Sequence, residues 1–111
     1  MTADVRFDEV IHAPQRLRIV AMLASVAGLE FAAVRDALDV SDSVLSKHLK
    51  VLEDAGYVKV QKTKRSGRTW TSASLTRAGR SAYEGHVAAL RAIVDGAAEA
   101  MPSASGPSDV G

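Results

Sequence analysis

One pair of side chains in this sequence has the types and spacing that catalysis could use. Ser46 and Lys50 stand one helical turn apart, as a serine nucleophile and a lysine base would. Nothing in the surrounding sequence would remove the lysine from water or build an oxyanion site, so we expect no catalytic residue and no enzymatic activity. The 111 residues contain no cysteine, which excludes disulfides and all thiolate chemistry.

Histidines are the remaining candidates for metal binding. His12 and His86, with Asp8 or Glu84 nearby, could contribute to a metal site between two subunits. A stable site needs several ligands that converge on one point, and a single chain shows no spacing of that kind. We therefore predict no metal site and no cofactor.

Positive charge is concentrated in one part of the chain. The net charge is only +1, yet residues 47–68 carry seven lysines and arginines against two acids, whereas residues 1–46 carry four against seven. A block of this kind is often a solvated surface, but it is also the pattern that favours contact with a nucleic acid.

A helix predicted over residues 41–55 carries part of this charge on one side. Ser41 is a suitable N-cap, and the apolar residues repeat at helical spacing to form a broad arc. His48 lies at the edge of that arc, where we expect a packing role. The opposite side carries small hydroxyl groups and lysines: Ser43, Ser46, Lys47 and Lys50.

The segments before this helix are also helical. Pro14 suits the first turn of an amphipathic helix, and Phe31–Leu38 repeats its apolar residues at helical spacing. Two short helices joined by a tight turn at residues 39–40 predict a helix-turn-helix.

From Tyr57 the pattern changes to the short alternation of β-strands. Two β-prone runs flank Ser66-Gly67, which predicts a hairpin with a basic tip. We expect Trp70 and Tyr83 to pack in the core or at a dimer interface. A pocket between the hairpin and the last helix is where we expect a small-molecule effector, of unknown identity, to bind.

The last helix is predicted over residues 76–101 and has a heptad repeat of its own. The seam could pack on the protein's own core, but the three shorter helices offer little surface to cover it, so we predict a homodimer. Pro102 ends the helix, and residues 102–111 read as a flexible tail. The predicted dimer interface is Tyr83, Val87, Leu90, Val94, Ala97 and Met101.

Together these segments resemble the winged helix-turn-helix regulators of the MarR and ArsR type, especially a short single-domain group whose recognition helix reads LSKHLKxLExAGYV. The resemblance covers residues 7–93, about three quarters of the chain. Its central motif is fairly specific and its flanks are generic. The segments that carry it are HAPQRLRIVAML, the Phe31–Leu38 helix, SDSVLSKHLKVLEDAGYV, the basic hairpin and SLTRAGR.

The resemblance implies a mainly α-helical fold with a small β-hairpin and a dimeric bacterial transcription factor. Its recognition helix would enter the major groove of double-stranded DNA, and its wing, residues 59–71, would lie along the phosphates or the neighbouring minor groove. ArsR relatives often sense metals through cysteines, which this chain lacks. The residues expected to contact DNA are Ser41, Ser43, Ser46, Lys47, Lys50, Lys62, Lys64, Arg65 and Arg68.

Two functions remain open from the sequence. The first is a sequence-specific, homodimeric DNA-binding regulator that acts as a repressor. The second is a winged-helix protein-interaction module that dimerises through the same helix and never touches DNA. The nearness of Lys47 and Lys50 to the cations of the hairpin favours the first, because an adaptor would not need them.

The expected location is the cytoplasm. No apolar run is long enough to cross a bilayer, and the first residues, MTADVRFDEV, lack the pattern of a signal peptide. We expect residues 1–101 to form one domain without membrane contact.

Overall fold

The computed structural model describes residues 5–101, and the tail predicted at 102–111 lies outside them. The described chain is a winged helix, mainly α-helical with a small antiparallel sheet and a long C-terminal helix, which confirms the predicted fold class. Its helices are α1 (Glu9–His12), α2 (Pro14–Ala24), α3 (Phe31–Leu38), α4 (Asp42–Asp54) and α5 (Arg77–Ala100). Its strands are β1 (Leu29–Glu30), β2 (Val58–Arg65) and β3 (Arg68–Leu75).

Two short elements, α1 and β1, were not predicted. The carboxylate of Asp8 caps α1 by accepting a hydrogen bond from the backbone N–H of Ile11 at 3.1 Å. Strand β1 pairs antiparallel with β3, so that Leu29 faces Ala73 and the sheet has the order β1-β3-β2. The hairpin is therefore anchored to the helical part of the chain by a third strand.

Helices α3 and α4 form the predicted helix-turn-helix. The turn between them depends on Asp39, whose φ of 56° is in the left-handed region that ends helices. The hydroxyl of Ser41 then caps α4 by accepting from the N–H of Val44 at 3.2 Å. Arg35 on α3 also bonds the carboxylate of Asp42 at 3.0 Å, which ties the two helices together.

One aliphatic core holds the helices and the sheet in place. Burial of these side chains is the main stabilising term, because each removes apolar surface from water. Tyr83 on α5 packs against this core while only partly buried, in agreement with a packing role. The buried members are Ile11, Ile19, Val20, Leu23, Val34, Leu38, Leu45, Leu49, Leu52, Val58 and Ala73.

A two-residue turn closes the hairpin. Ser66 and Gly67 have φ values of 52° and 75°, as a type I′ turn requires, and this turn matches the twist of paired strands. It sets the register in which Arg65 lies opposite Arg68 and Thr63 lies opposite Trp70.

The start of α5 is fixed against the base of the hairpin. The hydroxyl of Thr76 accepts from the N–H of Gly79 at 2.9 Å and donates to the carbonyl of Gly56 at 2.6 Å. Gly79 is buried so close to the backbone carbonyl of Tyr57 that a Cβ atom there would overlap it. Helix α4, the hairpin and α5 therefore meet at this one contact.

Candidate nucleic-acid interface

Helix α4 presents the polar face that its sequence predicted. Leu45, Leu49 and Leu52 are buried on one side. The predicted contact residues Ser41, Ser43, Ser46, Lys47 and Lys50 are all exposed on the surface. The hydroxyl of Ser41 is already engaged as the cap of α4, and it also lies 3.2 Å from the hydroxyl of Ser43.

The two lysines of α4 differ in their neighbours. Lys50 forms an ion pair with Asp54, one turn further along, with 3.2 Å between Nζ and Oδ1. Among the described residues no carboxylate lies within 4.0 Å of Lys47. Lys47 is therefore the α4 cation whose charge is fully available to a ligand.

The cations of the hairpin divide between its two faces. Because side chains alternate along a strand, Lys62 and Lys64 share a face with Val58 and Val60, whose side chains turn toward the core. Arg65 lies on the opposite face with its cross-strand neighbour Arg68. The sequence predicts one cationic tip, whereas the register separates it into a lysine face with Lys62 and Lys64 and an arginine face with Arg65 and Arg68.

An open cleft of about 400 Å³ lies between α4 and the lysine face of the hairpin. Ser46 and Lys50 from α4 line it together with Lys62 from β2. Asp42 and Glu53 line the cleft as well, so the positive charge of its lysines is partly neutralised. The structure thus brings residues from both predicted parts of the site, the helix and the hairpin, to one surface.

The arginine face is organised around Trp70. The guanidinium carbons of Arg65 and Arg68 each lie 5.0 Å from the centroid of its ring. Arg65 also forms an ion pair with Glu30 of β1, at 3.2 Å. Trp70 does not pack in the core, as one of the two predictions had it: it is half-buried on the hairpin beside Thr63, Arg65 and Arg68, and its place at a dimer interface stays a prediction.

Sequence reasoning missed two residues of this surface. Glu30 lies in a two-residue strand that no periodicity reveals. Arg35 stands beside the start of α4, where its hydrogen bonds to Asp36 and Asp42 raise the pKa of its guanidinium. The sequence did contain a signal for the contact between Arg35 and Asp42, because the arginine lies seven residues before this acid at the start of α4.

His48 has the edge position that its sequence predicted. It is partly buried, and its Nδ1 lies 3.5 Å from the guanidinium of Arg16. Burial lowers the pKa of His48, and the charges of Arg16 and Lys47 lower it further. The lowered pKa favours the neutral imidazole at pH 7, so His48 adds little positive charge to α4.

The other two histidines form a cluster with the N-terminal segment, in which His86 and Asp8 are buried and His12 is exposed. Nδ1 of His86 accepts from the backbone N–H of Asp8 at 2.9 Å, and its Nε2 lies 3.3 Å from Nδ1 of His12. The carboxylate of Asp8 accepts from the hydroxyl of Tyr57 at 2.5 Å, and this bond raises the pKa of Tyr57. The ring of Phe7 packs on both imidazoles. Within residues 5–101 no group of three or more potential ligands is arranged to hold a metal ion.

Stability should depend on pH through His86. Burial lowers its pKa, the charge of His12 lowers it further, and Asp8 and Glu9 oppose both effects. The native state resists a proton that the unfolded chain accepts, so the free energy of unfolding should fall as the pH drops below about 6.5, by at most about 1.4 kcal/mol per pH unit. Thermal unfolding between pH 7.5 and about 5 measures this slope.

The matched control for this prediction is His86→Asn. Its amide oxygen can still accept from the N–H of Asp8 but cannot titrate. We expect a shallower slope that does not vanish, because the lowered pKa of His48 contributes in the same direction. An unchanged slope in this variant would assign the pH dependence to other groups.

These features define a class of protein. A helix-turn-helix whose second helix exposes a polar, cationic face, followed by a two-stranded wing, is the architecture of winged-helix DNA-binding domains. The family model for the winged helix DNA-binding domain matches residues 15–94. The chain belongs to this family.

Several proteins are similar to this chain in sequence or in structure. The chain is 30% identical over 79 residues to an uncharacterized protein of Methanocaldococcus jannaschii, which covers 71% of this chain and 86% of that protein. It is similar to the structure of a transcriptional regulator homologue from Pyrococcus horikoshii OT3, with a TM-score of 0.76, 28% identity, and coverage of 81% of this chain and 89% of that one. It is also similar to NadR solved in complex with 4-hydroxyphenylacetate, with a TM-score of 0.64, 25% identity, and coverage of 82% and 64%.

The solved structures that resemble this chain are transcriptional regulators of the MarR and ArsR type, which confirms the resemblance found in the sequence. The fold is that of such regulators and not of enzymes. Ser46 and Lys50, the pair with catalytic spacing, are both exposed, so the lysine keeps its hydration. No helix among residues 5–101 is long and apolar enough to span a bilayer.

Proposed function

We propose that the protein is a homodimeric, sequence-specific regulator of transcription that binds double-stranded DNA in the cytoplasm and acts as a repressor. Helix α4 enters the major groove, and the wing lies on the phosphates or the adjacent minor groove. The observation that carries this proposal is the shared cleft, in which Ser46 and Lys50 of α4 and Lys62 of β2 line one surface. Residues 1–101 act as one DNA-binding domain.

Small side chains let α4 approach the bases. A helix about 10–12 Å wide fits a major groove of about 12 Å only where its outward side chains are short, and Ser43 and Ser46 meet that condition. Lys47 reaches a guanine edge or a phosphate. Lys50 releases its ion-pair partner Asp54 and then binds a phosphate. Serine and lysine lack the bidentate geometry of arginine or asparagine, so sequence preference also draws on DNA shape.

The wing supplies most of the electrostatic affinity. Lys62 and Lys64 continue the cationic surface of α4 along the backbone of the DNA, and Arg65 and Arg68 extend it at the tip. If a dimer neutralises about six to ten phosphates, its affinity should fall by about 10³ to 10⁵ between 50 and 200 mM salt.

The second half of α5 supports the dimer. Every residue from 91 to 100 is exposed, and Ile93, Val94 and Met101 are exposed by 57%, 64% and 61%. The acids of this segment, Asp95 and Glu99, lie outside the heptad positions of the apolar seam. Pairing of two such helices would bury the seam and place two copies of α4 about 34 Å apart, over successive major grooves.

A small cleft of about 240 Å³ supports the predicted effector site. It lies between Tyr57, at the start of the wing, and the first turns of α5, with Arg6 at its edge. A bound anion would pair with Arg6 there. The effector site itself stays a prediction.

Replacing Lys47 with alanine should weaken binding to the DNA upstream of the protein's own gene by about fivefold to hundredfold. A dimer carries two copies of the residue, so the slope of log affinity against log salt should also fall by about two. Fluorescence anisotropy with a labelled duplex over a range of salt concentrations measures both quantities.

Lys59→Ala is the matched control. Lys59 is exposed and carries the same charge, but it lies at the base of the hairpin, six residues before Arg65, and alternation along β2 turns it away from the lysine face that lines the cleft. We expect it to weaken binding much less than Lys47→Ala does. If the Lys47 variant and the wild type bind DNA with equal affinity, the proposed contact between α4 and DNA is contradicted.

The exposed seam of α5 also favours the second candidate, a protein-interaction module that dimerises without binding DNA. The two functions differ in one measurement on the wild type. A dimer that binds neither its own upstream duplex nor an unrelated one at about 50 mM salt, where phosphate contacts are strong, would support the module and contradict the regulator.

A further inference from the structure

The arginine face of the wing has an arrangement that phosphate binding alone does not require. Trp70 is the one tryptophan of the sequence, and it is held half-buried beside Arg65 and Arg68. Cross-strand pairing places Arg65 directly opposite Arg68, and both guanidinium groups lie 5.0 Å from the same ring, so two like charges are held in one small region. The tip therefore needs something that holds both groups in place.

The indole ring supplies that support. Tryptophan is the best aromatic partner for a guanidinium, which stacks on the ring and is attracted by its π electrons. A stacked guanidinium keeps its N–H donors at its edges, free to bond a phosphate or a base. At 5.0 Å from the centroid both guanidinium groups are within cation–π range, so the ring can orient two flexible side chains without using their hydrogen-bonding groups.

Glu30 adds a second constraint on one of the two arginines. Its carboxylate lies 3.2 Å from the guanidinium of Arg65, and the side chains of Arg65 and Glu30 are 60% and 46% exposed. Ion pairs this exposed contribute little to stability and exchange readily. Glu30 also lies on β1, outside the hairpin, so it holds Arg65 back toward the body of the protein.

We infer that Trp70 is a positioning residue for the wing arginines and that Glu30 is an internal competitor for Arg65, which a DNA phosphate displaces on binding. This inference rests on the proposed function. Glu30 would lower the affinity of the protein for DNA, because Arg65 must break its ion pair with this carboxylate before it can bind a phosphate.

A double-mutant cycle tests the role of Glu30. Glu30→Gln should tighten binding to the upstream duplex by about threefold to tenfold in the wild-type background and by much less in the Arg65→Ala background. Glu9→Gln on α1 removes the same charge outside the wing and should change affinity little. An equal gain from Glu30→Gln in both backgrounds would show that Glu30 acts only through overall charge, and would overturn its assignment as a competitor.

Two substitutions test the role of the ring. Trp70→Leu keeps an apolar side chain and should weaken binding by about tenfold, whereas Trp70→Phe keeps an aromatic face and should restore most of the affinity. Thermal unfolding of both variants accounts for any loss of folded protein. If Phe binds as weakly as Leu, the ring does not act through its face.

Trp70 also reports on the exchange directly. Because no other tryptophan contributes to the signal, its fluorescence should change on addition of DNA along the same curve as the anisotropy. An emission that does not respond to a bound duplex would contradict displacement at the tip. A wild-type protein that binds no duplex would overturn the proposed function itself, whereas wild-type affinity in both Glu30→Gln and Trp70→Leu would overturn this inference alone.

Discussion

Replacing Val94 with aspartate should convert the protein from a dimer into a monomer and weaken DNA binding by about hundredfold or more. Val94 is 64% exposed in the single chain, so the substitution leaves the chain's own core intact. In the proposed dimer it would place a charge in the apolar seam of α5, where burial is costly. Loss of the dimer also removes the gain from binding two half-sites at once, about 10² to 10⁴ in affinity. Light scattering and anisotropy measure the two effects.

Ala92→Asp is the matched control for this prediction. Ala92 is also exposed on α5, but two residues along a helix correspond to about 200°, which places it on the side opposite Val94. This variant should stay dimeric and bind DNA like the wild type. A Val94→Asp protein that remains dimeric would contradict the seam, and a monomeric one with undiminished DNA affinity would contradict the two-site arrangement.

Replacing Gly79 with alanine should destabilise the fold by about 3 kcal/mol or more, because the new Cβ would overlap the carbonyl oxygen of Tyr57. It would also meet Cδ1 of Leu75 at 2.8 Å. The first turn of α5 or the base of the wing would have to move. Thermal unfolding followed by circular dichroism should show a midpoint lower by about 10 °C or more.

A second glycine of the same helix provides the control. Gly96 has no heavy atom within 4 Å of the position its Cβ would take. Gly96→Ala should therefore stabilise α5 by about 0.5–1 kcal/mol, through the higher helix propensity of alanine. If Gly79→Ala unfolds at the wild-type temperature, the contact between α5 and Tyr57 is looser than described.

Periodicity predicted the elements that are long enough to show it. The broad apolar arc around Leu45, Leu49 and Leu52 identified α4 and its outward face. The Ser66-Gly67 pair identified the hairpin and its turn, since both residues must adopt positive φ. Helix α1, with four residues, and strand β1, with two, are too short to display a repeating pattern in the sequence.

We predicted a single basic tip, although the division of the wing into two faces can be worked out from the sequence. A two-residue turn sets the register, and alternation then assigns Lys62 and Lys64 to one face and Arg65 to the other. The alternation of Val58 and Val60 with polar residues also indicates which face covers the core, so the division into two faces was available from the sequence.

Long-range polar contacts were beyond sequence reasoning for a different reason. Asp8 and His86 are 78 residues apart, and nothing local to either residue indicates the other. The same holds for Glu30 and Arg65, which are 35 residues apart. Such pairs are fixed by the packing of whole elements, and only the folded chain shows them.

The contact at Gly79 has a consequence for control of the protein. Because Tyr57, Thr76 and Gly79 join the end of α4, the base of the wing and the start of α5, we expect these parts to move together as one rigid unit. In the proposed dimer, a change in the crossing angle of the two α5 helices would be carried along both units and would alter the distance between the DNA-reading surfaces. An effector that binds only at the contact between the two α5 helices would then release the DNA without touching the DNA-binding surface.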